Sequence, residues 1–148
     1  MTTKKAVLKK KRRLFSVGEA NAMLPLVKAI VGDIAELAKD LQERQGRLLR
    51  VLPTERGMVA AAYQEELNHA QEDFERDQER FVGYINELTE LGIELKDYSI
   101  GLVDFPCRLE GRVIYLCWKL GEPDVSHWHE IDSGFSGRQK LGVDAKKR

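Results

Sequence analysis

A chain of 148 residues with 24 basic and 24 acidic side chains and a hydrophobic fraction of 43% has room for one modest core and is too short for a second globular unit. No apolar run approaches the roughly 18 residues of a membrane span, and the basic start lacks the apolar stretch a signal peptide needs, so the expected location is the cytoplasm. In that reducing compartment Cys107 and Cys117 are expected as free thiols.

The chain opens on a basic arm, residues 1–13, where Lys4, Lys5, Lys9, Lys10, Lys11, Arg12 and Arg13 stand without an acid among them. Residues 140–148 add four basic side chains and Asp144. Removing these eleven basic residues and one acidic residue from the totals leaves 13 against 23 for residues 14–139, a single acidic domain between two basic tails. The first tail is a candidate nucleic-acid contact through counterion release, but it carries no aromatic ring to stack a base, and a disordered solvated tail is the stronger reading.

Ser16 and Glu19 have the spacing of a capping box, which predicts a helix start. Pro25 lacks an amide donor, so the expectation is a short turn over Val17–Met23 running into a long helix. That helix has apolar residues at Val27, Ile30, Ile34, Leu37 and Leu41, then at Leu48 and Val51 beyond Arg44, the alternating three-and-four spacing of a coiled-coil seam. Pro53, Thr54 and Gly57 supply the break. A second seam runs through Tyr63, Leu67, Ala70, Phe74, Phe81, Tyr84, Leu88 and Leu91.

Helices of roughly 40 and 50 Å at about 1.5 Å per residue predict an antiparallel hairpin over residues 16–97 with its tip near Pro53. Val31, Ala35, Ala38, Val82, Ile85 and Ile93 lie off the main seam and are free to pack the C-terminal segment or a second copy, a homodimer built as four helices. His69, between Glu66 and Asp73, reads as an exposed histidine on a charged face.

Within the β element and glycine-framed loop expected over residues 98–139, residues 100–139 hold nearly all the chemically capable side chains. Ile100–Leu109 and Arg112–Lys119 flank Glu110-Gly111, a hairpin signal. A two-residue loop pairs Leu109 with Arg112, Cys107 with Ile114, Phe105 with Leu116 and Val103 with Trp118, an apolar face to lie on the helices. The other face is more polar and makes Asp104 a neighbour of Cys117, while the two cysteines point apart and cannot bond. A carboxylate and a thiol so placed could share a metal, or could be an Asp on backbone amides beside an inert thiol.

After a turn at residues 121–124, Val125–Ile131 is expected as a third strand that presents His127 and His129 on one side. His-x-His on a strand is a spacing used for divalent metals such as zinc, with Glu122, Asp132, Asp104 or Cys117 to complete the set. In a helix the two rings would diverge and the idea would fail. The loop Gly134–Arg138 offers amides and a guanidinium to a carboxylate or phosphate. Its plain reading is that Arg138 pairs with the acidic helices while Phe135 plugs the core.

Glu19-Ala20-Asn21 with Pro25-Leu26-Val27, residues 101–106, Leu116-Cys117-Trp118, Gly121-Glu122, Trp128-His129 and Gly134-Phe135 with Gly137-Arg138 together resemble the uncharacterised bacterial family catalogued as domain of unknown function 2203. The resemblance spans residues 15–141 and implies no activity. It emphasises Trp128, His129 and Glu130 over His127, which favours His129 acting with Asp104, Glu122, Glu130 or Arg138.

The sequence therefore predicts an α+β, mostly α fold, a long antiparallel helical hairpin with a small C-terminal antiparallel β element packed at its base. The leading functional expectation is a non-catalytic module that binds a small anionic ligand or a partner protein through Asp104, Glu122, His129, Glu130 and Arg138. The alternative is a small metal-dependent hydrolase with His129 and His127 as ligands and Glu130 or Glu122 as general base.

Overall fold

The computed structural model describes residues 13–51 and 61–142. The basic arm before Arg13, the hairpin tip expected near Pro53 and the tail after Gly142 lie outside the described residues. Helices α1 (Val17–Val51) and α2 (Ala61–Leu91) form the hairpin. They are followed by β1 (Glu94–Asp97), β2 (Leu102–Leu109), β3 (Arg112–Lys119), β4 (His127–His129) and β5 (Gln139–Lys140), one antiparallel sheet in chain order. The fold is α+β and mostly α, as the residue spacing predicts. No helix among the described residues is long and apolar enough to cross a membrane.

The capping box forms as its spacing requires: the Glu19 amide donates to Ser16 Oγ at 3.0 Å and the Ser16 amide to Glu19 Oε1 at 2.9 Å. Just before it the Phe15 amide donates to the Pro106 carbonyl at 2.7 Å, and the Phe15 ring meets Phe105 edge-on at 5.3 Å, so the helix start is tied to β2. The break expected at Pro25 does not occur, and α1 runs through it. Pro25 costs one backbone bond, but Val17, Ala20 and Leu24 before it and Val27 after it are buried on the same core, and that packing holds one continuous helix.

Helix α2 stops at Leu91, short of the expected end of the hairpin at Asp97. The reason is Gly92, whose φ of 90° is a left-handed conformation suited to glycine. The Gly92 amide donates to Thr89 O and the Ile93 amide to Leu88 O, both at 3.0 Å, the double closure of a helix C-terminus, and Ile93 and Leu88 share the core. Ile93-Glu94-Leu95-Lys96 then alternates between core and outer face, and β1 pairs Glu94 with Asp104 and Leu95 with Val103.

Strands β2 and β3 pair from Leu102 with Lys119 through Leu109 with Arg112, the register a two-residue loop dictates. Both loop residues take positive φ, 52° at Glu110 and 83° at Gly111, as the right-handed twist of a tight hairpin demands. Val103, Phe105, Cys107, Ile114, Leu116 and Trp118 face the helices and join Val27, Ile30, Val31, Ile34 and Leu88 in one core. At Gly101 the backbone closes on α1: a Cβ there would stand 2.6 Å from Leu120 Cβ and 2.8 Å from Val31 Cγ1.

The outer face, the more polar of the two, is buried as well: Asp104, Tyr115, Cys117 and His129 are all at most 5% exposed. The β2–β3 pair is flanked by β1, which spacing does not resolve, and by β4, within the expected third strand, with the loop that carries Arg138 beside Cys117. The third strand is only His127–His129, because the Val125 amide leaves the ladder to donate to Asn21 Oδ1 at 2.8 Å and Ile131 swings out to solvent. Phe135 does not plug the core; it is exposed in a short 3-10 turn, flanked by the Lys119 ammonium and the Arg138 guanidinium.

Candidate functional site

Pairing places Glu94 beside Asp104, Asp104 beside Cys117, Cys117 beside His127 and Tyr115 beside His129, so these six side chains share the outer face. Its centre is a buried contact between Asp104 Oδ2 and His129 Nε2 at 2.9 Å, the two side chains being 2% and 3% exposed. His129 Nδ1 lies 2.6 Å from the Glu130 carbonyl. A carbonyl only accepts, so Nδ1 carries a hydrogen, and the proton between Nε2 and Oδ2 is held jointly by the pair.

Asp104 Oδ1 has no hydrogen-bond partner among the described residues. Burial pushes the Asp104 carboxyl above its usual range, against the opposing pull of His129, Lys96 and the Cys117 thiol beside it. Burial likewise pushes the Cys117 thiol up to about 11, with the Asp104 charge adding to the rise and Arg138 opposing it. One donor atom from each of Asp104, Cys117 and His129 lies within 4.8 Å of the others.

Two cation–carboxylate pairs flank this centre. Arg138 grips both carboxylate oxygens of Glu122 while its Nη1 stands 3.7 Å from Cys117 Sγ. Glu122 also accepts the Lys119 amide at 2.9 Å. Burial alone would raise the Glu122 carboxyl, but Arg138 and that amide together hold it below its usual range. On the other flank Tyr115 Oη donates to the Glu94 carboxylate at 2.9 Å, and Lys96 bridges to Glu94 at 2.9 Å with its ammonium 4.8 Å from the Tyr115 ring centre.

Of the residues singled out in the sequence, Asp104 and His129 touch, and Glu122 and Arg138 bond each other within reach of Cys117. Arg138 does not pair with the helices. Glu130 lies apart: its carboxylate bridges to Arg112, which also stands over Trp128 on the opposite side of the sheet. His127 shares the strand face with His129, but its Nδ1 is 3.2 Å from the Ser126 hydroxyl, and the converging donors are Asp104, Cys117 and His129. His69 is exposed on α2.

Glu94, Lys96 and Tyr115 belong to this face and are not among the residues that sequence spacing singles out. A signal for the first two exists in the period-two alternation after Gly92, but it falls in a stretch whose apolar spacing also fits a helix. The thiol is not ionised near neutrality, both imidazole nitrogens are engaged, and no general base stands over a nucleophile among the described residues.

Searches of curated proteins and of solved structures found no match to this chain. The family described as "Uncharacterized conserved protein (DUF2203)" matches residues 13–141. That match takes in both helices, the whole sheet and every residue of the buried centre, and the chain belongs to this family.

Proposed function

We propose that this chain is a non-catalytic binding module in which the helical hairpin is the scaffold and the outer face of the sheet holds a small ligand, a cation or a strong hydrogen-bond donor. The observation that carries this reading is the buried Asp104 Oδ1, which has no hydrogen-bond partner among the described residues and only the weak donor of the Cys117 thiol beside its carboxylate. An unsatisfied buried acceptor costs about 1–3 kcal/mol, and a ligand that satisfies it would recover that cost.

The same commitments argue against the other uses of this face. A small anion finds Arg138 already neutralised by Glu122 and meets an unpaired oxygen that repels it. A hydrolase would need a free base, but Glu122 is held ionised by Arg138, and Glu130 bridges to Arg112 away from the centre. Native mass spectrometry of the purified full chain tests the reading. An added mass should be present under non-denaturing conditions, lost on denaturation and absent from Asp104→Asn. No added mass on the native wild type, or the same added mass on Asp104→Asn, would sink it.

A second surface supports self-association. A cleft of about 730 Å³ runs between the helices, lined by Ala38 and Leu41 on one side and Phe74, Phe81 and Val82 on the other, with Tyr98 at its base. Val82 is 53% exposed there. Glu75 and Glu79 stand along the α2 rim, while Glu36 and Lys39 offset each other in the adjoining groove on α1, so the apolar floor is what a second copy related by a two-fold axis would bury. Sedimentation at micromolar concentration should give a dimer that Val82→Glu dissociates; a monomeric wild type would remove this reading.

A further inference from the structure

We propose that Asp104, Cys117 and His129 are the protein ligands of a divalent transition-metal ion of the zinc class; this rests on the binding reading above and names its ligand. The donor set is one carboxylate oxygen, one sulfur and one imidazole nitrogen, the mixture a borderline-soft ion prefers. Around a tetrahedral ion with bonds of about 2.0–2.3 Å, such donors stand about 3.5 Å apart. The observed atoms lie within 4.8 Å of one another, and the Asp104–His129 contact is already 2.9 Å, so side-chain rotation closes the difference.

Three features of the surroundings fit this use. The Glu130 carbonyl holds the hydrogen of His129 on Nδ1, which leaves Nε2 as the atom facing Asp104 and available to a metal, the usual outer support of a metal-bound histidine. The Arg138 guanidinium, anchored by Glu122, stands 3.7 Å from Cys117 Sγ, placed to donate to the sulfur once an ion has displaced the thiol proton. Asp104 Oδ1 supplies the acceptor that lacks a partner.

Charge also closes. On binding, the proton held between Asp104 and His129 and the thiol proton of Cys117 leave to solvent. One carboxylate and one thiolate then neutralise a divalent ion, so the buried centre remains without net charge, the condition a site this deep imposes. His127 faces the same side of the sheet but is not needed for this count.

Cobalt(II) titration of the chelator-stripped full chain tests the assignment, because cobalt bonded to a thiolate gives a near-ultraviolet charge-transfer band. The expected result is uptake of one ion per chain with that band, displaced by zinc. Cys117→Ala should abolish the band, whereas Cys107→Ala, the buried thiol on the opposite face, should retain it. Asp104→Asn, which keeps a hydrogen bond to His129, should weaken zinc at least tenfold with an unchanged circular dichroism spectrum. No uptake, uptake without a sulfur band, or a band that survives Cys117→Ala overturns the proposal. A native mass that shows an organic ligand in place of a metal overturns this inference alone and leaves the binding reading standing.

Discussion

The polarity of one side chain organises the chemistry of this molecule. Asp104 sits between two apolar neighbours, Val103 and Phe105, that face the opposite core, and its own side chain enters a second buried layer where His129 bonds it. Burial raises its carboxyl, so the ionised form is a cost to the fold. Asp104→Asn keeps the contact, since its amide donates to His129 Nε2, and removes the charge. In chelator-treated protein at pH 7 its unfolding free energy should equal or exceed that of wild type by up to about 1 kcal/mol. His129→Ala strips the pair of its partner and should lose about 3–5 kcal/mol. Urea denaturation measures both, and a loss above about 2 kcal/mol for Asp104→Asn would mark the carboxylate as structural.

At the scale of elements, strong local signals are legible in the sequence and those set by distant contacts are not. Ser16 with Glu19 and Glu110-Gly111 each fix their geometry within four residues, and from the second follows the whole β2–β3 register that puts Asp104 against Cys117. Pro25 misleads because helix continuity is decided by burial on either side of it. The strand after Gly92 is masked because Leu88, Leu91 and Leu95 have an apolar spacing that suits a continuing helix as well as a strand. The helix pair also has a cross-link that spacing does not reveal: Arg44 bonds Asp77 at 2.7 Å and Asp40 at 3.0 Å, and Arg80 bonds Asp77 at 2.9 Å. These bonds, Arg44 foremost, hold the Asp77 carboxyl below its usual range. The unfolded chain therefore takes up this proton first as pH falls. The stabilisation is complete above the ordinary aspartate value of about 3.9 and is lost as pH drops through the depressed one. Asp77→Asn should be the less stable protein at pH 7, and acid titration of urea midpoints should show the gap between the two closing below about pH 3.9.

Across the whole molecule burial is graded from base to tip. Nine side chains of α1 are buried from Val17 to Ala38, and none of its described residues beyond Ala38 is; in α2 only Leu88 among the described residues reaches full burial, near its end. The sheet and the proximal helices thus share one core, and the distal helices depend on half-buried seam residues such as Leu41, Leu48, Leu67 and Phe74 together with the Arg44–Asp77 bridge. Local opening should follow that gradient, because a segment with few buried apolar contacts opens without the rest. Amides of residues 27–38 and of β2 and β3 should exchange hydrogen only through global unfolding, and those of residues 45–50 and 61–70 roughly a hundredfold faster. A second copy seated in the cleft would cover residues 38–45 and 74–82, so their protection should then rise with protein concentration while that of β2 and β3 stays constant. Hydrogen exchange at two concentrations separates these cases. Uniform protection at both would contradict the gradient, and a concentration-independent gradient would mean the distal hairpin stands without a partner.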